Sequence, residues 1–362
     1  MIDSADRWIR SPQDPLLNEL CARLDSVADG IDAGANWPSE QLAWCAEFGV
    51  WSWFLPPELG GQGWSDVDIL AAYLQMGRAC LTTTFITTQW SAAARRIVAS
   101  GHLELARKLA PSLLRGDSFC TVGISHLTTS RQHVARPVLR AREDRDHFIL
   151  DGFSPWVTGG AYADILVTGA TLDDGRQILA AVPARLSGVE ASTPLRLVGL
   201  SASATGQVNF THVRLAREHL LAGPVENVLS QISATQAGGL QTSTLALASA
   251  SASLDILQEE AQTRGDLRQP ADELRAERDH LERDLFALAA GETSCTAEEA
   301  RVRANSLVLR ASQAALAAAK GSGYAWQHRA GRLCREALFF LVWSCPQPVV
   351  QANLCELAGL AG

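Results

Sequence analysis

The residues with chemical potential concentrate in one stretch, Gly152 to Gly169, which reads GFSPWVTGGAYADILVTG. Trp156 offers a large planar face, and Thr158 a hydroxyl and an amide that can donate to a ring heteroatom. Gly159 and Gly160 follow; lacking Cβ atoms, they let the backbone come close to something flat or charged. This set suits a bound aromatic cofactor. The alternative is a buried Trp beside a turn at Asp151-Gly152. Metal chemistry is not expected, because the eight cysteines contain no CxxC pair and the eight histidines no HxH or HxxxH spacing. The cysteines read as small core residues rather than as a disulfide framework.

The elements that must position this stretch fall into three parts. The chain has 362 residues, 47% apolar and 19% charged, enough for a soluble protein of two or three domains. Its net charge of −8 argues against a nucleic-acid partner, which needs a basic surface. No run approaches the roughly 18 apolar residues of a membrane span. The N-terminal MIDSADRWIR lacks the apolar core of a signal peptide, so a cytoplasmic protein is expected.

Residues 1–115 read as all-helical. Leu16, Leu20, Leu24 and Val27 recur at helical spacing, and helices are expected at Val67–Ala79, Thr87–Ser100 and His102–Leu114. Between Phe54 and Trp64, two prolines and three glycines demand a shaped loop. Residues 116–222 alternate apolar and polar positions between turns, which predicts a compact antiparallel β domain. Residues 223–362 predict helices at Val225–Thr263, Pro270–Ala290, Thr296–Gly321 and Arg329–Val342, an antiparallel four-helix bundle, then a terminal helix at Val349–Leu360. The fold class is α+β, mostly helical. Phe339-Phe340-Leu341-Val342 is apolar on every side, which predicts burial partly by another subunit in a homodimer or homotetramer.

This layout resembles that of the acyl-CoA dehydrogenase family, and local motifs carry the resemblance. Pro57-Glu58-Leu59-Gly60-Gly61-Gln62-Gly63 is similar to the family's "PEE-YGG-G" loop, and Trp156-Val157-Thr158-Gly159 to its flavin-contacting "W-I-T-N", with Asp164 matching the Asp that follows. Gly199-Leu200-Ser201-Ala202 through Val213 resembles its "G-R-S-S … V-x-F-x-x-V" hairpin, and Arg335-Glu336-Ala337 its "R-D-A". The resemblance implies FAD between the β domain and the bundle, with an acyl thioester, on CoA or an acyl carrier protein, across the flavin ring. It places Trp156 on the flavin, Thr158 near flavin N5, and hydroxyl contacts at Thr129 and Ser130. Arg268 falls near the arginine that reaches a neighbouring subunit's FAD pyrophosphate, or is a solvated loop arginine beside Pro270.

The chemistry of the family needs a carboxylate to remove the α-proton while hydride leaves Cβ. Counting from Arg335, the position of that glutamate is Ser344, in Trp343-Ser344-Cys345-Pro346. The family's other base position aligns near Gln241-Thr242-Ser243, again without a carboxylate, and Glu218 and Glu226 come too early. His126 is a substitute candidate because an ordinary imidazole titrates near neutrality; the alternative is a hydrogen-bonded structural histidine. Cys345 is a further candidate, although nothing basic lies near it in sequence. Three readings follow: a flavoenzyme oxidising an acyl thioester with an altered base, a flavin monooxygenase of the same fold, and a non-catalytic relative that acts as a binding or assembly partner.

Overall fold

The computed structural model describes residues 7–128, 137–232 and 239–360. Five helices open the chain: α1 (Pro15–Gly34), α2 (Ser39–Glu47), α3 (Asp66–Ala79), α4 (Leu81–Ala99) and α5 (Leu103–Arg115). Local chemistry sets their ends. The Asp14 carboxylate accepts from the Leu16 amide, and the Ser65 hydroxyl accepts from the Asp68 amide. α4 starts earlier than the expected Thr87, at Leu81, because Thr83, Thr84, Thr87 and Thr88 are buried and tertiary packing overrides their low helix propensity. The loop between Phe54 and Trp64 wraps an aromatic cluster in which Trp53 stacks on Trp64 at 4.3 Å and Trp51 meets Trp90 at 4.7 Å.

The middle of the chain forms one sheet from β1 (Cys120–Gly123), β2 (Leu139–Asp144), β3 (His147–Val157), β4 (Ile165–Thr171), β5 (Gln177–Pro183), β6 (Val189–Ala191), β7 (Gly206–Ala216) and β8 (Leu220–Val225), with a short helix α6 (Ser125–Thr128) after β1. The expected antiparallel sheet is corrected to a mixed one. β1 runs parallel to β4, Cys120 opposite Ile165, and β2 also meets β4 in parallel, Arg140 opposite Thr171. Alternation in a sequence reports which face a residue uses, not the direction of its partner. β4 and β5 are buried on both faces. Ile165, Val167, Leu179 and Ala181 pack towards the N-terminal helices, while Leu166, Ile178, Ala180 and Val182 pack into the sheet's own core.

The C-terminal part contains α7 (Val228–Gln231), α8 (Gln241–Thr263), α9 (Arg268–Ala289), α10 (Ala297–Gly323), α11 (Arg329–Ala337) and α12 (Gln347–Leu357). The helix expected from Val225 begins instead at Gln241: strand β8 uses the chain to Val225, and the turn at Gly223-Pro224 belongs to that strand. α10 opens with a capping box between Thr296 and Glu299. The expected helix Arg329–Val342 ends at Ala337, followed by a 3₁₀ turn at Leu338–Leu341. Of that apolar run, Phe340 is buried while Val342 is 78% exposed, so the chain itself covers only one side of it.

Arginines on α11 tie this part to the first helix. Arg329 reaches Asp25 at 3.5 Å, Arg332 reaches Asp29 at 2.7 Å, and Arg335 pairs with Asp32 while lying 4.0 Å from the Trp326 ring centre. Two motifs named separately in the sequence meet at the same helix. A Cβ on Gly199 would come within 2.8 Å of the Arg335 carbonyl oxygen, so only glycine lets the hairpin touch α11.

Candidate active site

One cleft of about 620 Å³ lies where the three parts of the chain meet, within the range of small-molecule sites. Along α4, Phe85, Thr88, Gln89, Ala92 and Arg96 share one helical face and form a long wall. Val122 and Ile124 come from the β1 end, with Ser125 and Thr128 of α6 and Trp156 of β3 beside them. Gln241, Thr242 and Leu245 come from the first turns of α8, and Val342, Trp343 and Ser344 from the segment after α11.

That last segment is held by a buried polar clamp. Arg301 on α10, 4% exposed, donates to the carbonyls of Trp343 at 3.0 Å and Phe340 at 3.5 Å; Asn305 donates to the Phe340 carbonyl at 3.0 Å. A cation there faces the negative, carboxyl end of a helical turn. Burial pulls the Arg301 guanidinium down to about 10. From the other side, Phe85 meets Phe339 at 4.8 Å and Trp343 at 4.9 Å. Ser344 emerges exposed from this clamp with a left-handed backbone, φ 44°. The Cys345 thiol next to it is pushed up by burial, and neighbouring Arg301 offsets this only in part.

The structure brings Trp156, Ser344 and Gln241-Thr242 onto one cleft, although they come from three separate elements. Trp156 is 40% exposed, an unusual state for a tryptophan, and its ring belongs to the cleft wall. Among the described residues, no aspartate or glutamate lines the cleft, and its one charged lining residue is Arg96.

Thr158 is fully buried and does not line the cleft. Its hydroxyl meets that of Thr205 at 3.0 Å, its carbonyl accepts from the Thr121 hydroxyl at 2.7 Å, and Thr205 continues to Ser203 at 2.9 Å. The flat group that Gly159 was expected to admit is a side chain of the protein itself. With φ +65°, Gly159 sits where a Cβ would come within 2.6 Å of the Trp37 ring. Trp37 in turn stacks on Tyr162 at 4.6 Å.

His126 is buried, and its Nε2 lies 2.8 Å from the Gly169 carbonyl oxygen, to which it must donate. Burial pulls its pKa below the ordinary value, and its Nδ1 has no partner among the described residues. It stands behind the cleft rather than in its lining. Arg268 is exposed at the start of α9, also outside the cleft. Thr129 and Ser130 lie outside the described residues.

Sequence reasoning missed Arg96. Its signal was available: α4 carries no acidic residue, and Arg96 falls four positions after Ala92 on the face that begins at Phe85.

The lining fits a planar, heteroatom-rimmed group such as FAD supplies. Trp156 offers a face, while the Ser125 hydroxyl and the Arg96 Nε are buried without a hydrogen-bond partner in the described structure. The Thr158 hydroxyl, already engaged inside the wall, contributes nothing to that fit.

A mixed sheet between an N-terminal helical domain and C-terminal helices, with the cleft at their junction, defines an acyl-CoA dehydrogenase fold. Residues 17–117 match the family model "Acyl-CoA dehydrogenase, N-terminal domain". The probable acyl-CoA dehydrogenase YngJ of Bacillus subtilis (strain 168) is 24% identical over 86% of this chain and 87% of that protein. The glutaryl-coenzyme A dehydrogenase complexed with glutaryl-CoA has the same fold, with TM-score 0.81, 20% identity, and coverage of 94% of this chain and 95% of that one. So does the prolyl acyl carrier protein oxidase AnaB, with TM-score 0.79, 16% identity, and coverage of 95% and 99%.

Proposed function

We propose that the protein binds FAD and an acyl thioester, on CoA or an acyl carrier protein, in this cleft, and that Cα–Cβ oxidation there is slow or altered. One observation carries the reading: the two positions at which the resembling family holds its base open on the same cleft as Trp156, and neither bears a carboxylate. The Trp156 ring would cover one side of the isoalloxazine, with the Ser125 hydroxyl and Arg96 available to its polar edge or to the substrate. When bound, FAD would supply the hydride acceptor. Phe85, Ala92 and Leu245 would shield an acyl chain from water.

The proton is the difficulty. The Ser344 hydroxyl can hydrogen-bond a thioester but cannot hold a Cα proton near neutrality. His126 is buried outside the cleft lining, where burial lowers its pKa, and burial keeps the Cys345 thiol protonated. Loss of a positioned base typically costs about 10²–10⁴ in rate. In the assembly proposed here, a homodimer or homotetramer in the cytoplasm, the exposed Arg268 is free to meet a neighbouring subunit's FAD pyrophosphate, and Thr129 and Ser130 supply hydroxyl contacts.

The test is anaerobic stopped-flow at the flavin band with a straight-chain acyl-CoA. Wild type should bleach slowly and Ser344→Glu at least tenfold faster. The glutamate must accept a left-handed backbone at a cost of roughly 1–2 kcal/mol. Fast bleaching by wild type would place the base elsewhere. If neither protein bleaches although both carry FAD, the monooxygenase reading gains, since a cleft without a carboxylate is what it expects.

A further inference from the structure

The apolar floor of the cleft and the polar layer next to it come from the same two helices. Phe85 on α4 and Leu245 on α8 are each 2% exposed and belong to one apolar cluster. Gly77 of α3 sets their common level. A Cβ there would meet Leu245 Cδ2 at 3.6 Å and the Cγ2 of Thr84, the neighbour of Phe85, at 3.9 Å. Trp343, 4.9 Å from the Phe85 ring, closes the floor beside Ser344, at the reacting end. One turn from Phe85 stands Gln89, one turn from Leu245 stands Gln241, and all four line the cleft. On both helices the wall therefore changes from apolar to primary amide within one turn of the floor.

These amides are only partly spent. Gln89 Nε2 donates to the Thr88 hydroxyl at 3.0 Å, which donates onward to the Phe85 carbonyl at 2.6 Å, leaving Gln89 Oε1 as an acceptor. The half-buried Gln241 amide and Thr242 hydroxyl make no side-chain hydrogen bond among the described residues. Charge is remote from them: Arg96 lies seven residues past Gln89, about 10 Å along α4. A carboxylate on the acyl group would find no cation at this end. An ammonium would find no carboxylate among the described lining residues. A plain alkyl chain would take the amides out of water without pairing them, which weakens binding. A hydroxyl both donates and accepts, as a primary amide does, and can pair with each.

We propose that this end of the cleft selects an acyl group with a hydroxyl on Cα or Cβ, and that Gln89 and Gln241 are the specificity-determining residues, with Thr242 beside them. A site built to hydrogen-bond a substrate hydroxyl rejects the analogue that lacks it, because its own polar groups are then left unpaired. This inference rests on the thioester reading above and adds to it a class of substrate, a hydroxyacyl thioester. The carrier arm, which plain and hydroxylated thioesters share, plays no part in the choice.

The experiment measures binding by calorimetry to the FAD-loaded protein with four pantetheine thioesters: butyryl, 3-methylbutyryl, 2-hydroxybutyryl and 3-hydroxybutyryl. Wild type should bind one of the two hydroxylated probes at least about tenfold more tightly than either hydrocarbon probe. Preference for the 2-hydroxy probe places the hydroxyl on Cα, and preference for the 3-hydroxy probe on Cβ. The 3-methylbutyryl probe carries a methyl in place of the hydroxyl, so wild type alone separates hydrogen bonding from size even if a variant folds poorly. Gln89→Leu and Gln241→Leu should each reduce the preference, and the double variant should bring it to about onefold. If butyryl-pantetheine binds and neither hydroxylated probe is preferred, this inference falls and the thioester reading stands. A preference that survives in the folded double variant also overturns it. So does loss of flavin from the variants with the preference kept, since the amides would then serve the cofactor. If none of the four probes binds, the thioester reading falls and takes this inference with it.

Discussion

Replacing Arg332 with leucine tests how α11, and through it the segment bearing Ser344, is fixed. Arg332 is 3% exposed and donates to both carboxylate oxygens of Glu336, at 3.2 and 3.3 Å, and to Asp29 at 2.7 Å. Glu336 is itself 1% exposed, and burial pushes its pKa upward against the pull of Arg332. Without the guanidinium, the carboxylate must be buried as a neutral acid. The cost at pH 7 is bounded by protonating a group whose ordinary value is 4.5, which at 1.36 kcal/mol per unit is about 3.4 kcal/mol. The half-exposed Asp29 adds little, because solvent screens it.

The sign is fixed by linkage. Glu336 is raised in the folded state, so its protonation penalty is absent below the unfolded value of 4.5 and grows as the pH rises above it. Urea unfolding should therefore show a loss of at most about 3 kcal/mol for Arg332→Leu at pH 7, shrinking to at most about 1 kcal/mol near pH 5. Arg332→Leu/Glu336→Leu should recover most of it, since an apolar replacement leaves no orphaned charge. A loss below about 1 kcal/mol at pH 7, or one equal at both pH values, would refute the claim that Glu336 depends on Arg332 for its charge.

Two other outcomes are expected. Trp156→Ala should lower FAD retention, measured by flavin absorbance after gel filtration, because the ring loses an aromatic face worth on the order of 1 kcal/mol; unchanged retention would return Trp156 to a purely structural role. His126, lowered in the folded state, should cost stability as the pH falls through its unfolded value of 6.5. The difference between wild type and His126→Gln should then change between pH 7.5 and 5.5, by at most about 1.4 kcal/mol per unit, and a flat difference would remove His126 from the acid response.

The sequence by itself determined the order of the parts and most of the helices, because helical periodicity and caps such as Asp14, Ser65 and Thr296 act over a few residues. It also pointed to Trp156 and to the absence of a carboxylate at Ser344 and Gln241-Thr242, since motif spacing survives where overall identity is low. Only the tertiary structure decided the rest. The direction of β1 against β4, the start of the helix expected from Val225, and the identity of the ring facing Gly159 depend on partners remote in the chain. The same holds for two site residues expected from the sequence: Thr158 bonds Thr205 and His126 bonds Gly169 inside the wall, while Arg96, unremarked in sequence, lines the cleft. A one-dimensional pattern specifies which side chains can be buried together; which donors are left unsatisfied after burial is fixed only when all the acceptors have taken their places.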